Sequence, residues 1–176
     1  MPDDTMPLAQ RFAALAMAIF LGTVAQADLA PLPTPTGPVL LTVTGAIAVT
    51  NDGDAAVFDL EMLRALPAET IRTTTIWTEG ELELTGVPLD ALLARVGAEG
   101  GSIKAKAIND YATDIPASDA VPGGPIVAYH ENGAPMPRRK RGPLWIVYPF
   151  ESNPDYQSDV VYSRSIWQLD RIDVVR

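Results

Sequence analysis

The chain contains a series of short runs in which apolar and β-branched residues alternate with polar ones, a pattern typical of half-buried β-strands. The C-terminal segment, 166–175, fits a strand or a helix equally well. The pattern predicts strands at 40–45, 55–59, 70–78, 81–85, 102–108, 126–130, 144–148 and 160–163, with a hairpin turn at 131–135.

Two helices are predicted from the residues at their ends. Asp59 can cap a short helix over 60–65 that Pro67 ends, and a helix over 88–97 has proline in its first turn and glycine at its end. Gly86 is expected to break the strand that precedes the second helix. Because strands lie before and after the helices without regular alternation, the sequence predicts an α+β fold in a single domain.

The N-terminal segment is typical of an export signal. A single arginine precedes the apolar run 12–21, and small residues around Ala27 fit a cleavage site, so residues 1–27 are predicted to be a signal peptide. An uncleaved anchor is the alternative, although the run is shorter than the roughly 20 residues that span a bilayer. The next segment, 28–38, is predicted to be an extended proline-rich leader, which leaves 39–176 as the folded domain.

The composition restricts the chemistry that the chain can carry. A net charge of −9 argues against nucleic acid as a partner. The absence of cysteine excludes disulfides, thiolate metal sites and a cysteine nucleophile. His130 is the single histidine, so a zinc site or a Ser-His-Asp triad would depend on it alone, and it equally suits an ordinary strand end.

Two segments combine hydroxyl, carboxyl and aromatic side chains. The threonine run 73–77 ends in Trp77, although a strand with alternating threonines has the same pattern. The segment 109–111 brings an amide, a carboxylate and a phenol together, although an Asn-Asp pair is also typical of a turn. Both oxygens of Asp110 could accept hydrogen bonds from the ring N–H and amino group of a fused heterocycle.

Two further segments carry positive charge beside tryptophan. A basic run enters an aromatic strand over 138–149, which indicates either an anion or partner site or a solvated loop. Segment 162–168 adds Arg164 and Trp167. The three tryptophans of the chain either pack in the core or form an apolar slot for a flat ligand with polar groups at its rim.

Taken together, these segments resemble the molybdopterin-binding domain of the sulfite oxidase family, including its small bacterial periplasmic members. The likeness covers about residues 40–175 and implies the mixed-sheet fold of that domain. The stretches that correspond to family motifs are 73–77, 86–92, 131–133, 142–149 and 164–167.

The departures from the family pattern concern its cofactor. The family's molybdenum-binding cysteine corresponds to Thr73, whose alkoxide is too basic to replace a thiolate at neutral pH. Trp145 and Trp167 stand where the family has cations that help hold the phosphate tail. A molybdenum cofactor is therefore not expected. The expected ligand is a flat ring without a phosphate tail.

On this resemblance the chain looks like the periplasmic pterin-response proteins that keep the fold and lack the cysteine. The resemblance implies a non-catalytic protein that binds a non-phosphorylated pterin and relays occupancy to the periplasmic domain of a membrane diguanylate cyclase/phosphodiesterase. Aromatic residues would stack on the pterin, Asp110 would accept from its amino-pyrimidine edge, and hydroxyl and basic residues would form the rim. The expected ligand-binding residues are Thr73, Thr75, Trp77, Asp110, Tyr111, Arg139, Trp145, Arg164 and Trp167.

Two other functions fit the sequence. One is a molybdopterin-dependent oxidoreductase of the sulfite oxidase family that holds its metal without cysteine. The lone Arg11 argues against it, because export of a folded, metal-loaded enzyme favours a twin-arginine signal. The other is a domain with an empty pocket that acts only through an interaction surface such as 138–141.

Overall fold

The structure, a computed structural model, describes residues 29–176. The predicted signal peptide and Asp28, the first residue of the predicted leader, lie outside the described residues. Within 29–176, no helix has the length and apolar character needed to cross a membrane.

The described residues form two β-sheets with a few short helices. The strands are β1 (Leu41–Gly45), β2 (Ala56–Phe58), β3 (Glu69–Thr74), β4 (Glu81–Pro88), β5 (Ser102–Ala107), β6 (Ala112–Pro116), β7 (Ile126–Glu131), β8 (Ala134–Pro135), β9 (Trp145–Val147) and β10 (Leu169–Val175). The α-helices are α1 (Leu60–Arg64), α2 (Leu89–Arg95) and α3 (Asp159–Arg164), and 3-10 helices lie at Ala117–Asp119 and Pro154–Tyr156.

The first sheet has the strand order β2-β1-β10-β5-β6. Its central pair, β1 and β10, is parallel, and its other pairs are antiparallel. The second sheet is antiparallel, with the order β3-β4-β7-β8 and with β9 also paired to β7. One mixed and one antiparallel sheet with few helices confirm the predicted α+β, single-domain fold class.

The alternation seen in the sequence places the core. In β4, Leu82 and Leu84 are buried, whereas the intervening Glu83 is partly exposed and pairs with Arg72 on β3. The helix α2 buries its leucine side chains. Gly97 follows its C-terminal cap, as the sequence predicted. The core is therefore apolar and continuous. A bridge between Trp145 of β9 and Trp167 joins β9 to the residues just before β10.

The proline-rich segment 29–38 has no helix or strand, but hydrogen bonds attach it to the domain. Arg95 donates to the carbonyl of Pro31 at 2.9 Å. The backbone N–H groups of Thr36 and Gly37 donate to Asp59 at 2.7 and 2.9 Å. Asp59 also accepts from Met62 at the start of α1, as its predicted capping role requires.

Replacement of Asp59 by asparagine is expected to lower the thermal unfolding midpoint at neutral pH and to leave it unchanged in strong acid. Hydrogen bonds from Met62, and then from Gly37 and Thr36, hold the pKa of the Asp59 carboxyl below its ordinary value of 3.8. A lowered folded-state pKa adds stability above the unfolded pKa that is lost as pH falls through the folded one. Thermal melts of both proteins across acid pH measure this, and a difference that does not depend on pH would contradict it.

Two strand predictions differ from the structure in their ends. The strand predicted at 70–78 stops at Thr74, because the next residues form a hydrogen-bonded turn. Gly86 does not break the strand but lies inside β4, at a bulge opposite β7. A Cβ at Gly86 would lie 2.2 Å from the carbonyl oxygen of Val127, so glycine is needed there for the close approach of two strands.

The segment predicted as a strand at 160–163 is a helix, α3. Its β-branched residues favour extended backbone, but the segment carries Asp159 in its first turn and Arg164 in its last, which suits the helix dipole. Arg164 is also tied to Asp119 by tertiary contact. Within the ambiguous segment 166–175, residues Leu169–Val175 form the strand β10, and β6 was not predicted.

Candidate ligand-binding site

Trp77, on the loop between β3 and β4, is the centre of an aromatic cluster. Its ring centroid lies 5.4 Å from Trp167, 5.9 Å from Tyr162 and 6.2 Å from both Trp145 and Phe150. All four pairs are edge-to-face, an arrangement that the charge distribution of aromatic rings favours. The packing therefore fixes the position of the Trp77 indole.

Hydroxyl groups hold the loop that carries Trp77. The hydroxyl of Thr75 accepts from the backbone N–H of Trp77 at 3.2 Å and lies 2.7 Å from the hydroxyl of Thr78. Thr74 donates its backbone N–H and its hydroxyl to Glu151, at 3.2 and 2.5 Å. These contacts end β3 and turn the chain so that Trp77 faces the aromatic cluster.

A cavity of about 470 Å³, here called the aromatic cavity, lies beside Trp77 and Trp167. It is formed by the β3–β4 loop, the β5–β6 turn, α3 and the residues after α3. Its volume lies in the range of roughly 300–1,000 Å³ typical of small-molecule sites. The lining residues are Ile76, Trp77, Ala107, Asn109, Tyr111, Asp159, Tyr162, Ser163, Ser165, Ile166 and Trp167.

The helix α3 presents one face to the aromatic cavity. Asp159, Tyr162 and Ser163 are separated by three and four positions, which places them on the same side of a helix. The end of α3 is fixed by Arg164, which pairs with Asp119 at 2.9 Å. The cavity wall is thus positioned by an ion pair that lies outside the cavity.

The lining is aromatic and carries a single charge. Among residues 29–176, those that line the aromatic cavity include no lysine or arginine, and Asp159 is their one carboxylate. Such a surface favours a flat, largely apolar ligand that is not an anion. The planes of Trp77 and Trp167 meet at 83°, so a flat ligand stacked on one of these indoles meets the other edge-on.

A smaller hollow of about 290 Å³ shares Trp77 and Trp167 with the aromatic cavity and is otherwise lined by Lys140 and Arg141. Arg141 makes a two-pronged ion pair with Glu131 at 2.7 Å and lies 5.2 Å from the Trp145 ring centre. We call residues 138–141 the basic segment. Its first three residues are exposed, whereas Arg141 is anchored to the domain.

The structure brings together three of the residues predicted to bind ligand. Trp77, Tyr111 and Trp167 all line the aromatic cavity. Thr75 does not line the cavity, but its hydroxyl accepts from the backbone N–H of Trp77. Thr73 is fully buried, and its hydroxyl donates to the carbonyl of Thr74, so it does not line the cavity.

Asp110 and Arg164 were also predicted to contact ligand, and the structure places both outside the cavity lining. The Asp110 carboxylate is 72% exposed and pairs with Lys106 at 2.8 Å and Arg171 at 3.2 Å. Its φ of 67° is that of a turn residue, the alternative that the sequence had left open. Lys106, and then Arg171, lower the pKa of Asp110 below its ordinary value. Arg164 is held by Asp119 instead of forming a rim.

The two remaining predicted residues lie in opposite environments. Trp145 is fully buried in β9, where its indole N–H donates to the carbonyl of Ser165 at 3.3 Å. It supports Trp77 and Trp167 from behind and does not line the aromatic cavity. Arg139 is exposed on the basic segment and lines neither cavity.

Asp159 and Ser163 line the cavity but were not predicted to do so. Their helical spacing was the available signal. It was missed because the β-branched residues between them favoured a strand at 160–163, and strand periodicity would place Asp159 and Ser163 on one face without Tyr162.

The residues do not fit a molybdopterin whose metal is held by the protein in the family's manner. The chain has no cysteine, and the residue at the expected position, Thr73, presents a buried hydroxyl already bonded to a backbone carbonyl. Within 29–176, no group of three or more His, Asp or Glu side chains has a metal-binding arrangement. His130 lies 2.9 Å from the Arg64 guanidinium, and burial, with Arg64, lowers its pKa. Asp159 would in turn repel a phosphate in the aromatic cavity.

The fold and this cavity define a single-domain α+β protein with a candidate site for a flat small molecule. The chain matches the model of the oxidoreductase molybdopterin binding domain over residues 41–152. It therefore belongs to the oxidoreductase molybdopterin binding domain family, as the sequence motifs predicted.

A structural comparison agrees with this family. The crystal structure of the sulfane dehydrogenase SoxCD from Paracoccus pantotrophus is similar with a TM-score of 0.58 and 18% sequence identity. The match covers 77% of this chain but only 37% of the sulfane dehydrogenase chain, which is longer. The likeness therefore concerns one part of that protein and shows the fold alone. No curated protein matches the chain. The predicted sulfite oxidase-like fold is thus confirmed.

Proposed function

We propose that this protein is a non-catalytic periplasmic binder of a non-phosphorylated pterin, which relays ligand occupancy to a membrane enzyme that controls cyclic di-GMP. The observation that carries the proposal is the aromatic cavity. Trp77, Trp167, Tyr162 and Tyr111 surround a space of suitable size, and no cation among the described residues lines it. A bare pterin ring offers a flat face for stacking and needs no partner for a phosphate.

The missing thiolate supports a binding role over an oxidoreductase. Family membership indicates a fold built around a pterin, whereas Thr73 has no chemistry to hold molybdenum in the family's manner. The protein would then retain the pterin-binding use of the fold without the metal. The oxidoreductase alternative requires a protein ligand other than cysteine, because the chain has none.

A connection between the cavity and the basic segment supports the relay. Trp167 lines the cavity, and the next residue, Gln168, fastens the basic segment. The backbone N–H of Gln168 donates to the carbonyl oxygen of Arg141 at 2.9 Å, and its side-chain amide donates to the carbonyl oxygen of Arg138 at 2.6 Å. A ligand that moves Trp167 would thereby move the backbone to which these cations belong. The proposed partner is the periplasmic domain of a membrane diguanylate cyclase/phosphodiesterase.

The function is tested on protein purified from the periplasm. Denaturation should release a fluorescent pterin without stoichiometric molybdenum, measured by mass analysis and elemental analysis. The stripped protein should rebind pterin with quenching of tryptophan fluorescence, because Trp77 and Trp167 line the cavity. Molybdenum with a phosphorylated pterin would support the oxidoreductase instead. Neither a released ligand nor rebinding would overturn the pterin proposal and leave an interaction domain.

Reversal of charge on the basic segment should separate partner binding from ligand binding. The triple substitution of Arg138, Arg139 and Lys140 by glutamate is expected to weaken binding of the partner's periplasmic domain by at least about tenfold, because it removes charge complementarity. Pterin affinity should stay within about twofold, because these side chains are exposed and only Lys140 borders a hollow shared with the indoles.

The control for this experiment reverses charge elsewhere on the surface. Lys104→Glu combined with Arg176→Glu changes exposed cations far along the chain from the basic segment. A loss of partner binding that scales with the number of reversed charges, two in the control and three in the basic segment, would indicate a general effect of net charge and would contradict a specific surface. If the triple variant lost pterin affinity and the control variant kept it, the basic segment would belong to the ligand site.

A further inference from the structure

Two serine hydroxyls of the aromatic cavity are placed to accept hydrogen bonds from a ligand. The hydroxyl of Ser163 donates to the carbonyl of Val160 at 2.7 Å, and that of Ser165 donates to the carbonyl of Val161 at 3.3 Å. Each hydroxyl hydrogen is thus used within α3, and its oxygen keeps lone pairs for other donors. These oxygens can accept from N–H groups of a ligand, and the indoles of Trp77 and Trp167 supply N–H donors for its acceptors.

Asp159 is the strongest acceptor of the lining. Like Asp110 it is exposed, but within residues 29–176 its carboxylate has no ion pair or side-chain hydrogen bond, in contrast to Asp119 and Asp110. It lies on the same face of α3 as Tyr162, which packs against Trp77 at 5.9 Å. A carboxylate therefore stands one helical turn from the aromatic surface on which a flat ring would stack.

We propose that Asp159 fixes the ligand by accepting two hydrogen bonds from one edge of its ring, from the exocyclic amino group and the adjacent ring N–H. The ligand class is a 2-amino-4-oxo fused pyrimidine. Two carboxylate oxygens match these two parallel donors as they match a guanidinium. The assignment rests on the proposed pterin binding and transfers to Asp159 the role that the sequence had indicated for Asp110.

The neighbouring residues favour Asp159 over Asp110 for this role. Asp110 already accepts from Lys106 and Arg171 and does not line the cavity. Asn109, from the same turn, does line it, but its side-chain oxygen accepts from the backbone N–H of Tyr111 at 3.2 Å. The amide of Asn109 is thus directed by the turn, and the charged acceptor comes from α3.

The experiment compares two ligands that differ at one edge. Pterin carries the 2-amino group, and lumazine is the same bicycle with a carbonyl there. The wild-type protein should bind pterin at least about tenfold more tightly than lumazine, a difference expected for hydrogen bonds to a charged group. In Asp159→Asn the pterin affinity should fall at least about tenfold and the preference should narrow or reverse, because the new amide can donate to the lumazine carbonyl.

Asp155→Asn is the matched control, because Asp155 is exposed, precedes α3 and does not line the cavity. It should keep both affinities, and circular dichroism should show the same fold for both variants. An unchanged preference in Asp159→Asn, or a loss of pterin affinity in Asp110→Asn instead, overturns the proposal while pterin binding by the wild type still stands. Failure of the wild type to bind either ring overturns the proposed function itself.

Discussion

Replacement of Trp77 by alanine is expected to weaken pterin binding by at least about a hundredfold, because one substitution removes a stacking surface and the packing behind the others. Trp77 contacts Trp167, Tyr162, Trp145 and Phe150 edge-to-face, with centroid separations of 5.4–6.2 Å. Its loss would leave Trp167 and Tyr162 free to change position. Calorimetric titration of the stripped protein with pterin measures the change.

The same substitution is expected to lower the free energy of unfolding by about 2–4 kcal/mol, less than the roughly 3–5 kcal/mol for a core tryptophan, because Trp77 is only partly buried. Urea unfolding provides this value and shows whether the variant is folded under the conditions of the titration. Trp77→Phe keeps an aromatic ring in the cluster and should retain most of the stability and an intermediate affinity. If both folded variants bound pterin like the wild type, the ligand would not lie in the aromatic cavity.

The fold class was predictable because alternation within single strands records which face is buried. Leu82 and Leu84 of β4 and the Asp59 cap of α1 depend on residues close in sequence, and the structure agrees with them. By contrast, α3 depends on contacts of Arg164 with a residue 45 positions away, which no local pattern reveals. Tertiary contacts there override the preference of β-branched residues for a strand.

The candidate site divides in the same way. Trp77, Tyr111 and Trp167 were predicted from local groups of aromatic and polar residues, and they line one cavity. The predicted role of Asp110 depended on its carboxylate being free, whereas Lys106 and Arg171 engage it from two strands. Whether a charged side chain is available to a ligand is determined by partners that are distant in sequence, so the sequence identified the type of group needed and not the residue.

Trp145 shows that the sequence does not reveal whether a tryptophan is buried or lines a site. A tryptophan beside a basic run is compatible with a stacking residue at the surface or with a core residue. In the structure β9 is buried throughout, and the Trp145 indole finds a backbone acceptor in Ser165. Composition cannot distinguish these environments, because the same side chain satisfies its N–H in either one.

Replacement of Asp119 by alanine is expected to destabilise the protein by about 2–3 kcal/mol, because two partners lose their acceptor together. The buried hydroxyl of Tyr148 donates to Asp119 at 2.6 Å, and Arg164 donates to the same oxygen at 2.9 Å. Burial, and then Asp119, raise the pKa of Tyr148 well above its ordinary value, so this hydroxyl stays protonated and needs an acceptor. Urea unfolding measures the loss.

A double-mutant cycle separates the two partners of Asp119. With Tyr148→Phe in the background, Asp119→Ala no longer leaves a buried hydroxyl without an acceptor, so its cost should fall by about 1 kcal/mol or more. The part that remains belongs to Arg164 and the end of α3. Because α3 carries Asp159 and Tyr162 into the aromatic cavity, Asp119→Ala should also reduce pterin affinity, whereas Tyr148→Phe alone should not. If the free-energy changes of the two substitutions were strictly additive, Tyr148 and Arg164 would not share Asp119 as an acceptor. Other contacts would then position α3.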